Sequence, residues 1–267
     1  MKIFDVHQHY YPELDPDASK ILKGMDKNNI EKALIMAGHE SITSGVGYNE
    51  DVDEIISCHP DRFEGGVYVY PLDVASAVET VRKYYDKGFK CVKMFPAYGF
   101  FPDDPLCFPV YELITELDML LLFHAGGADK KYMIGNTREG ASFKYSMPCH
   151  YDALGHVFPD MKTVLAHLGG GITLYNMPEI ISLCANHQNI YLDISCSTAA
   201  VALDIYSNTL DDYVIPLDVK KLAWGSDNVN PGITLAKNLN TVSKLANGDT
   251  KIVEDVFFGN ARKLLNL

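Results

Sequence analysis

The stretch Ile3-Phe4-Asp5-Val6-His7-Gln8-His9-Tyr10-Tyr11-Pro12 decides how this chain is read. It opens as a short apolar run with β-branched and aromatic residues, the composition of a strand. An open, doubly wound sheet usually carries a glycine-rich turn after its first strand; here two histidines stand in that place. Side chains two residues apart on a strand share a face, so His7 and His9 are expected to point together into whatever the strand helps to enclose. Asp5 is expected on the same face but deeper, as a buried hydrogen-bond partner.

Working outward, similar runs recur: KALIMAG (32–38), GGVYVYP (65–71), FKCVKMF (89–95), MLLLFHAGG (119–127), KTVLAHLGG (162–170), NIYLDIS (189–195) and KLAWGSDN (221–228), eight with the first, KIFDVH (2–7). Between them lie segments of helical spacing such as 74–88, with Gly88 as a stop, and 105–118. Strands alternating with helices imply parallel pairing through right-handed crossovers. Eight such units predict an α/β fold, a (β/α)8 TIM barrel. No internal repeat, low-complexity tract or linker divides the chain, so residues 1–267 are expected to form a single domain.

At 267 residues and 47% hydrophobic content the chain can bury a large core. A net charge of -12 argues against a nucleic-acid backbone or an anionic membrane surface as the main partner; it says little about the small-molecule substrate expected here, because local charge in a pocket can differ from the total. MKIFDVHQHYY does not read as a secretory leader, and no apolar run is long enough to cross a bilayer. The cysteines at 58, 91, 107, 149, 184 and 196 form no CxxC pair; reduced, mostly buried thiols and a cytoplasmic location are expected.

Strand ends matter in a barrel, because the chemistry is built at the C-terminal mouth. His7 and His9 close the first strand, His124 the fifth, His167 the sixth and Asp227 the eighth. Neutral imidazoles with a carboxylate are the donor set of zinc and similar divalent ions. Taken singly, each residue has a plainer reading: a hydrogen-bonded core histidine, or for Asp227 a helix cap after Gly225-Ser226. Their common placement at strand ends favours a metal site. The longest gap between strands, 125–161, holds a glycine-rich polar portion and then a helix near 149–157, and belongs at the same mouth.

With these pieces assembled, the whole chain resembles the amidohydrolase superfamily, in its amidohydrolase-2 branch of metal-dependent hydrolases and non-oxidative decarboxylases related to aminocarboxymuconate-semialdehyde decarboxylase. The resemblance rests on FDVHQHYYP, HPDRFEGGVYVYP, the passage from DKGFKCVKMFP through LLLFHAG, FPDMKTVLAHLGGG, HQNIYLDISCST, KLAWGSDN and FFGNARKLL, in that order. It implies His7, His9, His124 and Asp227 as ligands of one divalent metal, zinc or else manganese or another ion. It makes Asp227 the proton shuttle and His167 a neighbour of the metal that polarises a substrate carbonyl or positions water. Binuclear relatives bridge two metals with a carboxylated lysine on strand four; Lys93 stands there, and a contact with substrate is the alternative. The chain departs from the pattern after Asp227, reading Asn228-Val229-Asn230-Pro231 where an aromatic residue and proline are usual.

Further candidates for substrate contact are Arg138, beside Lys130, Lys131 and Lys144 in the long loop, with solvated loop charge as the plainer reading, His150 at its far end, with a surface role at the helix entry as the plainer reading, and His39 after strand two. His59, His156 and His187 read as surface or packing residues. The expected reaction is hydrolysis of an amide, ester or lactone in a small carboxylated molecule, with metal-activated water and Asp227 as general base and acid. The alternative is non-oxidative decarboxylation of an aromatic or unsaturated acid at the same site. Two rivals are weaker. A TatD-type nuclease barrel needs an acidic ligand on a middle strand, which FKCVKMF and GGVYVYP lack, and a merely ligand-binding barrel would not need the whole ligand set. Dimers are common among such relatives, so a homodimer is an expectation.

Overall fold

Parallel strands β1 (Ile3–His9), β2 (Ile30–Met36), β3 (Phe63–Tyr68), β4 (Cys91–Met94), β5 (Leu120–Phe123), β6 (Thr163–Leu165), β7 (Ile190–Asp193) and β8 (Leu222–Ala223) pair in sequence order. The seam between the last and first strands closes through backbone bonds: Val6 N donates to Trp224 O at 3.0 Å and Asp227 N to His7 O at 2.7 Å. The computed structural model describes residues 1–38, 45–126, 142–170, 176–209 and 216–267. Helices follow the strands as α1 (Ser19–Lys27), α2 (Asn49–Cys58), α3 (Val74–Asp86), α4 (Phe108–Glu116), α5 (Pro148–Val157), α6 (Met177–Asn186), α7 (Cys196–Thr209) and α8 (Leu235–Leu245). This is the (β/α)8 barrel that the eight runs predict.

Two apolar layers account for the strand composition. Phe4, Val6, Leu34, Met36, Cys91, Leu120, Leu122, Val164, Tyr191 and Ala223 form one cluster inside the barrel, joined by Ala261, Leu264 and Leu265 from the C-terminal segment. Ile3, Ala33, Ile35, Val67, Val92, Leu121, Phe123, Leu165 and Leu192 alternate with them and pack against the helices. Burial on both faces is why these strands read as continuous apolar runs. Helix α3 ends as expected, with Gly88 at φ +92 beyond its last turn. No helix among the described residues is long and apolar enough to cross a membrane.

Two local departures from the sequence reading shape the mouth. In β1 the register jumps from Asp5↔Ala33 to Gln8↔Ile35, so Val6 and His7 together oppose Leu34. This bulge breaks the simple alternation. Asp5 falls in register with the outward-facing Ala33 rather than on the face of His7. It is a buried hydrogen-bond partner as expected, its Oδ1 accepting from His7 N at 3.1 Å and Ser226 N at 2.9 Å. The second departure is β6, which stops at Leu165. His167, Leu168 and Gly169 then adopt left-handed φ of 55°, 55° and 64°. Outside glycine this conformation costs roughly 1–2 kcal/mol per residue, and strain of this kind collects at functional sites.

Candidate metal centre

β1 carries His7 and His9 to the mouth, where their Nε2 atoms stand 3.3 Å apart. The partners of the other ring nitrogens settle the tautomers. His9 Nδ1 lies 3.2 Å from Met36 O, and a carbonyl only accepts, so Nδ1 carries the hydrogen. His7 Nδ1 donates to Asp193 Oδ2 at 2.7 Å. Both Nε2 atoms therefore bear lone pairs that face each other, an arrangement that a shared cation relieves. Burial holds both imidazoles well below their ordinary pKa, helped by the nearby positive charge of Lys93. Neutral rings are the form that ligates metal.

Asp227, left-handed at φ +47, completes the group from beyond β8. Its Oδ1 is 3.8 Å from His7 Nε2 and 4.0 Å from His9 Nε2, and its Oδ2 is 3.9 Å from His167 Nδ1. Zinc bonds of about 2.0–2.2 Å in a tetrahedron put neighbouring donors about 3.3–3.5 Å apart. The His7–His9 separation matches, and the aspartate needs a few tenths of an ångström of closure. Desolvation raises the Asp227 carboxyl, while Lys93 pulls it down and Asp193 and Asp5 push it up.

A hydrogen-bonded chain runs from Asp193 through Ser195 into the remaining histidines. The buried Ser195 hydroxyl donates to Asp193 Oδ1, so its oxygen must accept from His167 Nδ1 at 2.9 Å. His167 Nε2 is then the acceptor for His124 Nδ1 at 3.2 Å, which places the lone pair of His124 on Nε2. Asp193 thus sets the tautomers of His7, His167 and His124 together. Single ligand atoms of His7, His167 and Asp227 lie within 4.8 Å of one another. The near nitrogen of His167 is, however, committed to Ser195, which makes His9 the better partner for His7 and Asp227.

Lys93 projects from β4, fully buried, with Nζ 3.1 Å from His7 Nε2 and over the ring of Phe95. Burial lowers its pKa, against the raising effect of Asp193 and Asp227. Phe95 itself lies nearly parallel to His124 and His9, with Tyr68 and Tyr98 tilted against it. An aromatic wall therefore backs the imidazoles.

The structure does not bring every sequence candidate into this group. His150 turns Nδ1 to Asp103 Oδ1 at 2.8 Å and its ring to Phe101 at 4.6 Å, clasping two mouth loops. Lys144 lies over the ring of Tyr145. His39, Lys130, Lys131 and Arg138 lie outside the described residues. Sequence reasoning missed Asp193 and Ser195. The available signal was a carboxylate at the end of the seventh apolar run, NIYLDIS, on the face of Tyr191.

A parallel barrel whose mouth gathers histidines from β1, β5 and β6 with a carboxylate beyond β8 has the layout of a metal-dependent barrel enzyme. The family model described as Amidohydrolase matches residues 4–267, and the chain belongs to that family. A divalent metal is typical of it, and the donor set at this mouth fits one. Solved structures with the same fold include a 2,6-dihydroxybenzoate decarboxylase from Rhizobium, at 17% identity and TM-score 0.71, covering 100% of this chain and 99% of that one. A probable 2-pyrone-4,6-dicarboxylic acid hydrolase from Acinetobacter baumannii aligns at 15% identity and TM-score 0.65, covering 100% of both chains. A 5-carboxyvanillate decarboxylase from Novosphingobium aromaticivorans, with bound manganese, aligns at 16% identity and TM-score 0.62, covering 93% of this chain and 81% of that one. No curated protein sequence matches the chain. Hydrolysis and decarboxylation both occur among the structural neighbours.

Proposed function

We propose that the protein is a metal-dependent hydrolase of a small carboxylated ester, lactone or amide. Its ion, zinc by donor preference, is held by His7 Nε2, His9 Nε2, His124 and Asp227. The observation that carries this reading is the pair of lone-pair nitrogens on His7 and His9, 3.3 Å apart with an aspartate oxygen beside them. A divalent ion at this point supplies Lewis-acid polarisation and makes water acidic enough to ionise near neutral pH.

The chain's own groups then do the following. Asp227, raised toward neutrality by desolvation and with 24% of its side chain exposed, takes the proton of the attacking water and returns it to the leaving group. His167 orients the substrate carbonyl, its ring fixed by Ser195. Lys93 offers a buried ammonium to a substrate carboxylate. Arg138 and His39 are proposed as further contacts to the substrate, and His150 to meet it once released from Asp103.

Decarboxylation on the same groups is the second reading. The observation favouring it is the wall of Phe95, Tyr68 and Tyr98, which suits stacking on a flat, unsaturated acid. There Asp227 protonates carbon as carbon dioxide leaves. The deciding experiment offers the metal-loaded protein a panel of pyrone and other lactone carboxylates and of hydroxybenzoates, with ring opening and carbon dioxide monitored together. Ring opening without carbon dioxide is the expected result; carbon dioxide from the benzoates alone rejects hydrolysis.

A further inference from the structure

A second group of side chains of metal-ligating type sits outside the barrel mouth, between α5 and the end of α6. Asp152 and His156 stand one turn apart on α5, with Oδ2 and Nε2 3.8 Å apart. His187, just past α6, turns its Nε2 to Asp152 Oδ1 at 2.8 Å. The two imidazoles meet edge to face with centroids 4.6 Å apart, and one ligand atom from each residue lies within 4.8 Å of the others. We propose that Asp152, His156 and His187 form a second divalent transition-metal site that clips α5 to α6.

The donor chemistry is two imidazoles and a carboxylate, the set that zinc takes with water in its fourth position. Two of the three residues are held in place before any ion arrives. The His187 ring is buried and lies against the bare backbone of Gly155, where a Cβ would come within 2.7 Å of Nδ1. The buried Lys221 ammonium donates to the carbonyls of Cys184, at 2.7 Å, and His187, fixing the chain at the ring's own residue. Asn189 donates to the carbonyls of Phe158 and Met161 at 2.9 Å each, tying the segment after α5 to the same corner. His156 is the exposed ligand, with 71% of its side chain open to solvent. A zinc tetrahedron has donor separations of about 3.3–3.5 Å; the 2.8 Å contact to His187 and the 3.8 Å contact to His156 use different Asp152 oxygens, so the site forms when one oxygen serves both imidazoles, the His187 contact opening by about half an ångström and His156 turning inward. The ion takes the place of the proton that His187 Nε2 gives to Asp152, and that proton leaves to solvent. Tyr151, the neighbour of Asp152, reaches the carbonyl of His124 at 3.5 Å, so the clip braces the wall behind the mouth.

The test is titration of the chelator-stripped full chain with zinc chloride against a chromophoric indicator, for the wild type and for His156→Ala and Asp152→Asn. The expected result is that each variant takes up about one equivalent less than the wild type, with an unchanged circular dichroism spectrum. A His156→Ala protein that binds as much zinc as the wild type, at the same affinity, overturns the proposal. The same comparison in a His9→Ala background reads the outer site by itself: one equivalent is expected to remain and to disappear when His156→Ala is added. Whatever the mouth retains in that background, the loss of one equivalent on adding His156→Ala supports the outer site and no loss overturns it, so its outcome is separable from the reading of the barrel mouth.

Discussion

Asp193→Asn is the sharpest single perturbation of the mouth. Oδ1 of Asp193 accepts from His167 N at 2.8 Å, from Ser195 N at 3.0 Å and from the Ser195 hydroxyl, while Oδ2, among the described residues, accepts from His7 Nδ1 at 2.7 Å. In the asparagine variant the three donors keep the amide oxygen at the Oδ1 position. The amide nitrogen must then face His7 Nδ1. Since that nitrogen only donates, Nδ1 has to give up its hydrogen and the hydrogen moves to Nε2. His7 becomes the wrong tautomer for ligation while the backbone scaffold survives. Loss of a carboxylate that orients a ligating imidazole typically weakens metal binding about 10–100-fold, or about 1.4–2.8 kcal/mol. The assay is indicator competition for zinc, with thermal unfolding of the metal-free protein run beside it. The expected outcome is weakened binding with little change in the metal-free Tm. Wild-type affinity in the asparagine variant would refute the tautomer argument.

Three further outcomes follow from the same geometry. Ser195→Ala strips His167 Nδ1 of its acceptor; a buried donor left unsatisfied costs about 1–3 kcal/mol, so both Tm and zinc affinity should fall, and unchanged values in both count against the hydrogen-bonded chain. Gly225→Ala places a Cβ 2.6 Å from the Cβ of His7 and 3.1 Å from its backbone nitrogen, whereas Gly65→Ala meets the ring of Phe89 at 2.6 Å on another side of the barrel. Overpacking of this kind costs about 1–3 kcal/mol; both variants should melt earlier, but only Gly225→Ala should also lose zinc affinity in the titration. A thiol reagent at pH 8 should label the exposed Cys58 and Cys149 in the native protein, while Cys91, Cys107 and Cys184, pushed up to about 12 by burial, react only on unfolding. Fast labelling of the buried three would mean the barrel wall is looser than described.

The barrel was legible because its strands are buried on both faces, so each announces itself as an apolar run bounded by polar segments. The positions of His7, His9, His124, His167 and Asp227 were legible for a related reason: a polar residue at the end of such a run has only the mouth to point into. What escaped depends on local geometry that pattern does not encode. The extra residue in β1, which takes Asp5 off the face of His7, is visible only in the register with β2. The left-handed turn at His167 and Leu168 lies inside a run that reads as continuous strand. Asp193 and Ser195 act through other side chains rather than on a ligand, and their value appears only when the partners of each imidazole are followed. His156 and His187, 31 residues apart in sequence, meet because α5 and α6 are neighbours on the outer wall.

Anomalous diffraction at the zinc edge, from crystals of the zinc-loaded protein, shows which side chains hold the ion. An ion is expected at the mouth within about 2.0–2.2 Å of His7 Nε2, His9 Nε2, a nitrogen of His124 and an oxygen of Asp227. An ion that leaves His9 or Asp227 outside bonding distance, or a mouth that takes up no zinc at all, would contradict the proposed ligand set.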